Sequence, residues 1–231
     1  MNDEIERLRR LYTTQYSSDP QDRNYIWHPL NRVAIYFRQA QERAISDLIR
    51  KNNLDIKNLR VLDVGCGTGG LLRYLACLGI VPGQLHGLDL LECRIAAARQ
   101  LSPPGMSLLA GNAETLPYAD DSFDLLAQFT VFSSILDAQL RRRIAAEMTR
   151  VLKKTGQLLW YDMYNLRSAN LHNLSMVEIR QLFPDYAIRY LKAMHPIYAS
   201  RMASRAYLFV YLLEYLPGFP KTHYLALLQK Q

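Results

Sequence analysis

The stretch VLDVGCGTGG, Val61–Gly70, decides the fold. VLDV is an apolar run interrupted by one acid, Gly65, Gly67 and Gly69 follow at once, and GLLRYLACLG then shows helical apolar spacing. A strand that passes through a glycine turn into a helix brings bare backbone close to a ligand, because glycine has no side chain to keep it away. The glycines also satisfy the dinucleotide pattern GxGxxG through Gly65, Gly67 and Gly70, and Asp89 closes the next strand in a position to hold ribose hydroxyls. Asp63 separates the two readings. It stands at the mouth of the strand, where a dinucleotide would put its pyrophosphate on the helix N-terminus, and a carboxylate there repels that group. The same carboxylate suits a ligand that presents an ammonium group.

Outward from this turn, the pattern alternates. QLHGLDL precedes ECRIAAARQL, MSLLAG precedes a loop, and SFDLLAQFTVF precedes a helix over about 138–152 that Asp137 should cap. GQLLWYDM, a short helix over about 175–183, and strands near 186–195 and 222–229 complete the series. Strands separated by helices of 10–15 residues imply βαβ units on a parallel sheet, buried on both faces. The expected fold class is therefore α/β: a doubly wound, seven-stranded, mostly parallel Rossmann-like sheet whose last strand is antiparallel. Helices over about 4–15 and 31–51 precede it. The expected division is a helical lid over 1–58 and a cofactor-binding core over 59–231, with a helical insertion near 196–218.

Composition agrees with a single large unit. The 231 residues are 49% hydrophobic and 21% charged, which excludes wholesale disorder. The net charge of +7 is spread without a basic tail, so it permits an acidic partner without arguing for one, and nucleic acid is not the expected partner given the motifs considered below. Arg141–Arg143 reads as a solvated helix face. Cys66, Cys77 and Cys93 have no pairing pattern for disulfides or zinc. MNDEIERLRRLY lacks the apolar core of a secretory signal. The longest apolar run, AYLFVYLL over 206–213, falls short of the roughly 20 residues a spanning helix needs. A cytoplasmic location is the expectation.

VLDVGCGTGG, then GLDL, GNAETLPYADDSFDLL and EMTRVLKKTGQLLWYD, resemble the successive motifs of class I S-adenosylmethionine-dependent methyltransferases, in particular methyltransferase type 11, over about 59–162. The resemblance implies S-adenosylmethionine as methyl donor, S-adenosylhomocysteine as product and no metal. It implies that Asp63, Gly65, Cys66 and Gly67 lie along the methionine moiety, that Asp89 holds the ribose, and that Leu90 packs on adenine. Asn112 stands where the family usually has Asp and contacts the adenine amino group, with the Ala113 backbone beside the ring. Gln128 would lie under the sulfonium.

The acceptor is not named by such a fold. The chain lacks the [DNS]PP[YFW] motif of amino-methylating nucleic-acid enzymes after its fourth strand, where it reads QFTVFSSILD. No cysteine follows a proline, which excludes a cytosine-C5 nucleophile, and no Asp/Asn cluster suits magnesium. Aromatic and polar residues crowd the segment before the core. From it Tyr25, Trp27, Tyr36 and Arg38, with Phe129, are the expected substrate contacts, and His28 is the preferred histidine over His172 and His195. Asp162 and Tyr164, at the end of the fifth strand, are the other candidates for a base or acceptor anchor. The layout also loosely resembles bacterial methyltransferases of glycan and natural-product assembly. It points to methylation of a small-molecule or saccharide acceptor, on oxygen, by a monomer or homodimer. An RNA or protein substrate, or a non-catalytic partner role, is the alternative. The aromatic run over 206–216 could pack as core or lid, form a dimer face, or touch a membrane or lipid-linked acceptor.

Overall fold

A computed structural model of the chain describes residues 3–15, 30–166, 168–196 and 205–231. The chain opens with α1 (Asp3–Arg10), which runs into a single π turn over Leu11–Gln15, and α2 (Arg32–Lys51). Asn31 starts α2 by accepting the Val33 amide at 2.9 Å. Then come β1 (Val61–Val64), α3 (Gly70–Cys77), β2 (Leu85–Asp89), α4 (Glu92–Leu101), β3 (Ser107–Ala110) and β4 (Phe123–Phe129). The chain closes with α5 (Ala138–Val151), β5 (Leu152–Met163), α6 (Met176–Leu182), β6 (Tyr186–Pro196), α7 (Tyr207–Tyr215) and β7 (Lys221–Lys230).

The seven strands lie in one sheet in the order β3-β2-β1-β4-β5-β7-β6. β7 runs antiparallel to both of its neighbours, and the other pairings are parallel. The order reverses between β1 and β4, so the loops leaving those strands diverge and open a crevice at their carboxyl ends. Side chains alternate across the sheet. Leu62, Val64, Leu126 and Trp160 pack on the α5 and α6 side, while Val61, Ala127, Leu159 and Tyr161 pack toward α2, α3 and α4.

Two local expectations change. β4 stops at Phe129 instead of running through TVF, because Gln128 Oε1 accepts the Val131 amide at 3.1 Å and Thr130 takes φ 57°. Phe132–Ser134 then form a 3-10 turn. Arg141 is buried, unlike Arg142 and Arg143, which are exposed. Its guanidinium donates to the Ile135 carbonyl at 2.5 Å and pairs with Glu178 at 3.0 Å, joining α5 to α6.

Candidate active site

A cleft of about 430 Å³ lies over the carboxyl ends of β1, β2 and β4. Its floor is the turn after β1. The Gly65 and Cys66 amides both donate to the Leu88 carbonyl, at 2.7 and 3.0 Å, which folds the turn back over β2. Gly65 and Gly67 sit at φ 75° and 54°, the left-handed region that glycine enters without strain. A side chain at Gly65 would strike Val131 at 2.3 Å, whereas Gly67 faces open space.

Two carboxylates define the cleft's charge. Asp89 accepts the Gly67 amide at 2.9 Å through Oδ2 and the Leu91 amide at 3.0 Å through Oδ1, so it braces the glycine turn while facing the cleft. Asp63 is 2% exposed and its Oδ1 has no hydrogen-bond partner. Burial first, and the nearby Asp89 carboxylate second, push its carboxyl well above the usual range. Two buried acids, one with an oxygen that no protein group satisfies, make a pocket suited to a cationic group.

The structure brings together Asp63, Gly65, Cys66, Gly67, Asp89, Leu90, Asn112 and Ala113 around this cleft, whose lining also includes Arg38 and Phe129. The Asn112 oxygen accepts the Glu114 amide at 3.0 Å and its amide donates to Glu114 Oε2 at 2.8 Å, which pins the loop after β3. The remaining candidates are placed otherwise. Among the described residues, the lining does not include Gln128, Asp162, Tyr164 or Tyr36. Gln128 is fully buried and bridges β4 to β5, donating to the Tyr161 carbonyl at 3.3 Å. Asp162 is 1% exposed and accepts the Ser133 amide at 3.2 Å and the Met163 amide at 2.8 Å. Burial raises its pKa to about 6 against those bonds. Tyr164 stacks on Tyr224 at 3.7 Å. Tyr36 is fully buried and donates to Glu214. Of the named histidines, His172 bonds Glu178 at 2.8 Å and His195 is fully buried. Tyr25, Trp27 and His28 lie outside the described residues.

Several lining residues were not anticipated. Gln41, Glu42 and Ile45 follow Arg38 at the three- and four-residue spacing of one α2 face, a signal present in the sequence. Ile5, Leu8 and Tyr12 reach the cleft because α1 is tied to the loop after β4. Arg7 donates to the Ser134 carbonyl at 2.5 Å, and Glu4 accepts the Leu136 amide at 2.6 Å. Arg94 lies over the Tyr12 ring at 4.5 Å. His223 lines the cleft from β7, and only the register opposite Met163 reveals it.

The switch-point cleft, the glycine turn and the antiparallel last strand define a Rossmann-like methyltransferase fold. Residues 62–160 match the model of a methyltransferase domain. The chain is 34% identical over 112 residues to a phthiotriol/phenolphthiotriol dimycocerosates methyltransferase of Mycobacterium ulcerans, covering 48% of this chain and 40% of that protein. It is 29% identical over 167 residues to the demethylmenaquinone methyltransferase of Renibacterium salmoninarum, covering 72% of this chain and 62% of that one. The chain thus spans about half the length of the curated relatives it matches. In structure it is similar to an S-adenosylmethionine-dependent methyltransferase of Mesorhizobium loti, with a TM-score of 0.60 at 18% identity over 80% of this chain and 96% of that one. It is also similar to a protein of Pyrococcus horikoshii, with a TM-score of 0.63 at 15% identity over 95% of this chain and 98% of that one. Among the described residues, no cluster of His, Cys, Asp and Glu could hold a metal, and no helix is long and apolar enough to cross a membrane.

Proposed function

We infer that this chain transfers a methyl group from S-adenosylmethionine to the oxygen of a small molecule, saccharide or natural product. The observation that carries the reading is the unpartnered, buried Asp63 beside Asp89 in a cleft at the sheet's switch point. An ammonium group brought to Asp63 restores its ionised form and satisfies its free oxygen. Gly65, Cys66 and Gly67 then follow the methionine chain. Asp89 keeps acceptor capacity for ribose hydroxyls beyond the two amides it already holds, Leu90 and Ala113 flank the adenine, and Asn112 has a lone pair left for its amino group. S-adenosylmethionine supplies a methyl carbon already activated by its sulfonium. The protein's part is to align the acceptor, exclude water and receive a proton. Arg38 and Phe129, which line the same cleft, take the acceptor, and the two relatives named for the compounds they methylate agree with a small-molecule substrate.

α7 carries Leu208, Phe209 and Leu212 at 69%, 52% and 59% exposure, and we assign this strip to contact with a membrane surface or a lipid-linked acceptor. The reading as a whole is tested by titration calorimetry with S-adenosylhomocysteine and with NAD. Binding of the first is expected, and binding of NAD alone ends the assignment. A screen with methyl-labelled donor against cell extract, followed by mass spectrometry, identifies the acceptor. Labelled RNA or protein in place of a small molecule would overturn the acceptor class.

A further inference from the structure

We propose that His223 is the general base of the reaction, taking the acceptor's hydroxyl proton on Nε2. The proposal rests on the methyl-transfer reading above and adds the residue that makes an oxygen acceptor reactive.

The argument is one of proton positions. Thr222 Oγ1 lies 3.2 Å from the His195 carbonyl and 2.7 Å from His223 Nδ1. A hydroxyl has one proton, and a carbonyl can only accept. The Thr222 proton therefore goes to the buried His195 carbonyl, and His223 must donate its Nδ1–H to the hydroxyl. That fixes the neutral tautomer and leaves the lone pair on Nε2, on a ring that lines the cleft. His195 is held for this purpose in a strained conformation, at φ 60°. Its amide donates to both Glu214 oxygens at 3.1 Å, while its carbonyl holds Thr222.

The ring itself is aimed by stacking. His223 lies parallel to Tyr161 at 5.0 Å and 12°, and Tyr161 stacks on Phe129 at 5.0 Å and 28°. The three rings form a ladder across the carboxyl ends of β4, β5 and the adjoining end of β7. The ionisable groups against the His223 ring are Tyr161 on β5 and His195 on β6, with Phe37 of α2 on the same ring; Tyr36 of α2 touches His195 instead, and its hydroxyl meets Glu214 of α7. Lys221 of β7 is turned to the Leu213 and Glu214 carbonyls, at 2.6 and 2.8 Å, and Arg38 lines the same cleft from α2. Burial lowers the His223 pKa to about 3, which keeps the imidazole neutral.

The step balances in atoms and charge. The acceptor O–H bond breaks and its proton passes to Nε2. The acceptor oxygen bonds the methyl carbon as that carbon's bond to the sulfonium breaks, releasing a neutral thioether. One cation in the cleft, the sulfonium, is replaced by another, the imidazolium, so the buried site gains no net charge.

The first test needs no acceptor. Protein labelled with ¹⁵N-histidine and saturated with S-adenosylhomocysteine is followed by long-range ¹H–¹⁵N correlation, with the His223 signals identified by their absence in His223→Gln. The neutral Nδ1–H tautomer is expected from about pH 6 to 9. An Nε2–H tautomer or an imidazolium overturns the proposal. The second test measures methyl transfer to the acceptor fraction of the extract. His223→Gln should lose about 100-fold or more in turnover while S-adenosylhomocysteine affinity stays within about threefold. Its remaining rate should climb about tenfold per pH unit as the acceptor ionises unaided, against a flat wild-type profile. An unchanged rate, or a loss with the profile still flat, overturns the proposal. If the variant does not fold, the wild-type tautomer decides, with the His223 signals identified from Thr222→Ser instead. If S-adenosylhomocysteine does not bind at all, the methyl-transfer reading falls by calorimetry, separately from the tautomer result.

Discussion

Asp63 and Asp89 stand side by side at the end of the sheet and carry different duties. Asp89 already accepts two backbone amides, so its charge is spread into the glycine turn, whereas Asp63 has an oxygen with no partner. On the proposed reading Asp89→Ala removes two ribose contacts, each a charge-assisted bond worth roughly 1.5–3 kcal/mol, and should weaken S-adenosylhomocysteine binding about 100-fold or more by calorimetry. Normal binding by this variant would show that the ribose lies elsewhere. Asp162 makes a different prediction, about pH. Its folded pKa of about 6 is raised above its ordinary 3.8, so the folded state binds the proton more tightly than the unfolded chain does. The stability this contributes is complete below pH 3.8 and is lost as pH rises through 6. Asp162→Asn is neutral throughout, so between those limits it should gain on wild type by about 3 kcal/mol as pH rises. Urea unfolding of both proteins from acid to neutral pH measures this. A difference that does not vary with pH would mean that folding leaves the Asp162 pKa unshifted, and one that falls as pH rises would mean that it is lowered.

At the scale of elements, the site depends on how closely α3 approaches β2. Gly87 allows it: a Cβ there would lie 2.8 Å from Cys66 Sγ and Leu72 Cδ1 and 2.9 Å from Leu108 Cδ2. These are core atoms on three sides, so none can turn away into solvent. Gly87→Ala should therefore cost about 1–3 kcal/mol through overpacking and weaken cofactor binding together with stability. A thermal unfolding midpoint equal to wild type would show that the turn yields freely. α7 is held on one side by a polar knot, in which Glu214 receives the Tyr36 hydroxyl from α2 and the His195 amide from β6, while Lys221 of β7 donates to the Leu213 and Glu214 carbonyls. The knot fastens one edge of the helix and leaves the Leu208 and Leu212 edge bare.

At the scale of the whole molecule, that bare edge adds to a net charge of +7. A cationic protein with an exposed leucine strip should bind anionic bilayers through both terms, the electrostatic one falling with salt. The chain should co-sediment with vesicles of phosphatidylglycerol and phosphatidylethanolamine. Leu208→Ser with Leu212→Ser should abolish this while shifting unfolding by no more than about 0.5 kcal/mol per site, since both side chains face solvent. Equal sedimentation of the two proteins would remove the membrane assignment.

The turn at Val61–Gly70 and the alternation of runs after it determined the sheet, its switch point and the acid pair, because these depend on local spacing: glycines where the backbone turns, apolar runs where a strand is buried on both faces. The helical spacing of Arg38, Gln41, Glu42 and Ile45 was equally legible. The acceptor side was not. In sequence Asp162 reads as a base or acceptor anchor and Gln128 as a cofactor contact, because each is a polar residue near the end of a buried strand, yet each bonds neighbouring amides or carbonyls that only the fold brings near. His223 is the converse. Nothing local marks it, and it reaches the cleft because an antiparallel strand, sixty residues from Met163 in sequence, pairs with β5 in a register that sets His223 opposite Met163 and beside Tyr161. Pairing between distant strands is decided by how two faces of one sheet bury together, and that is a property of the assembled core, not of any segment.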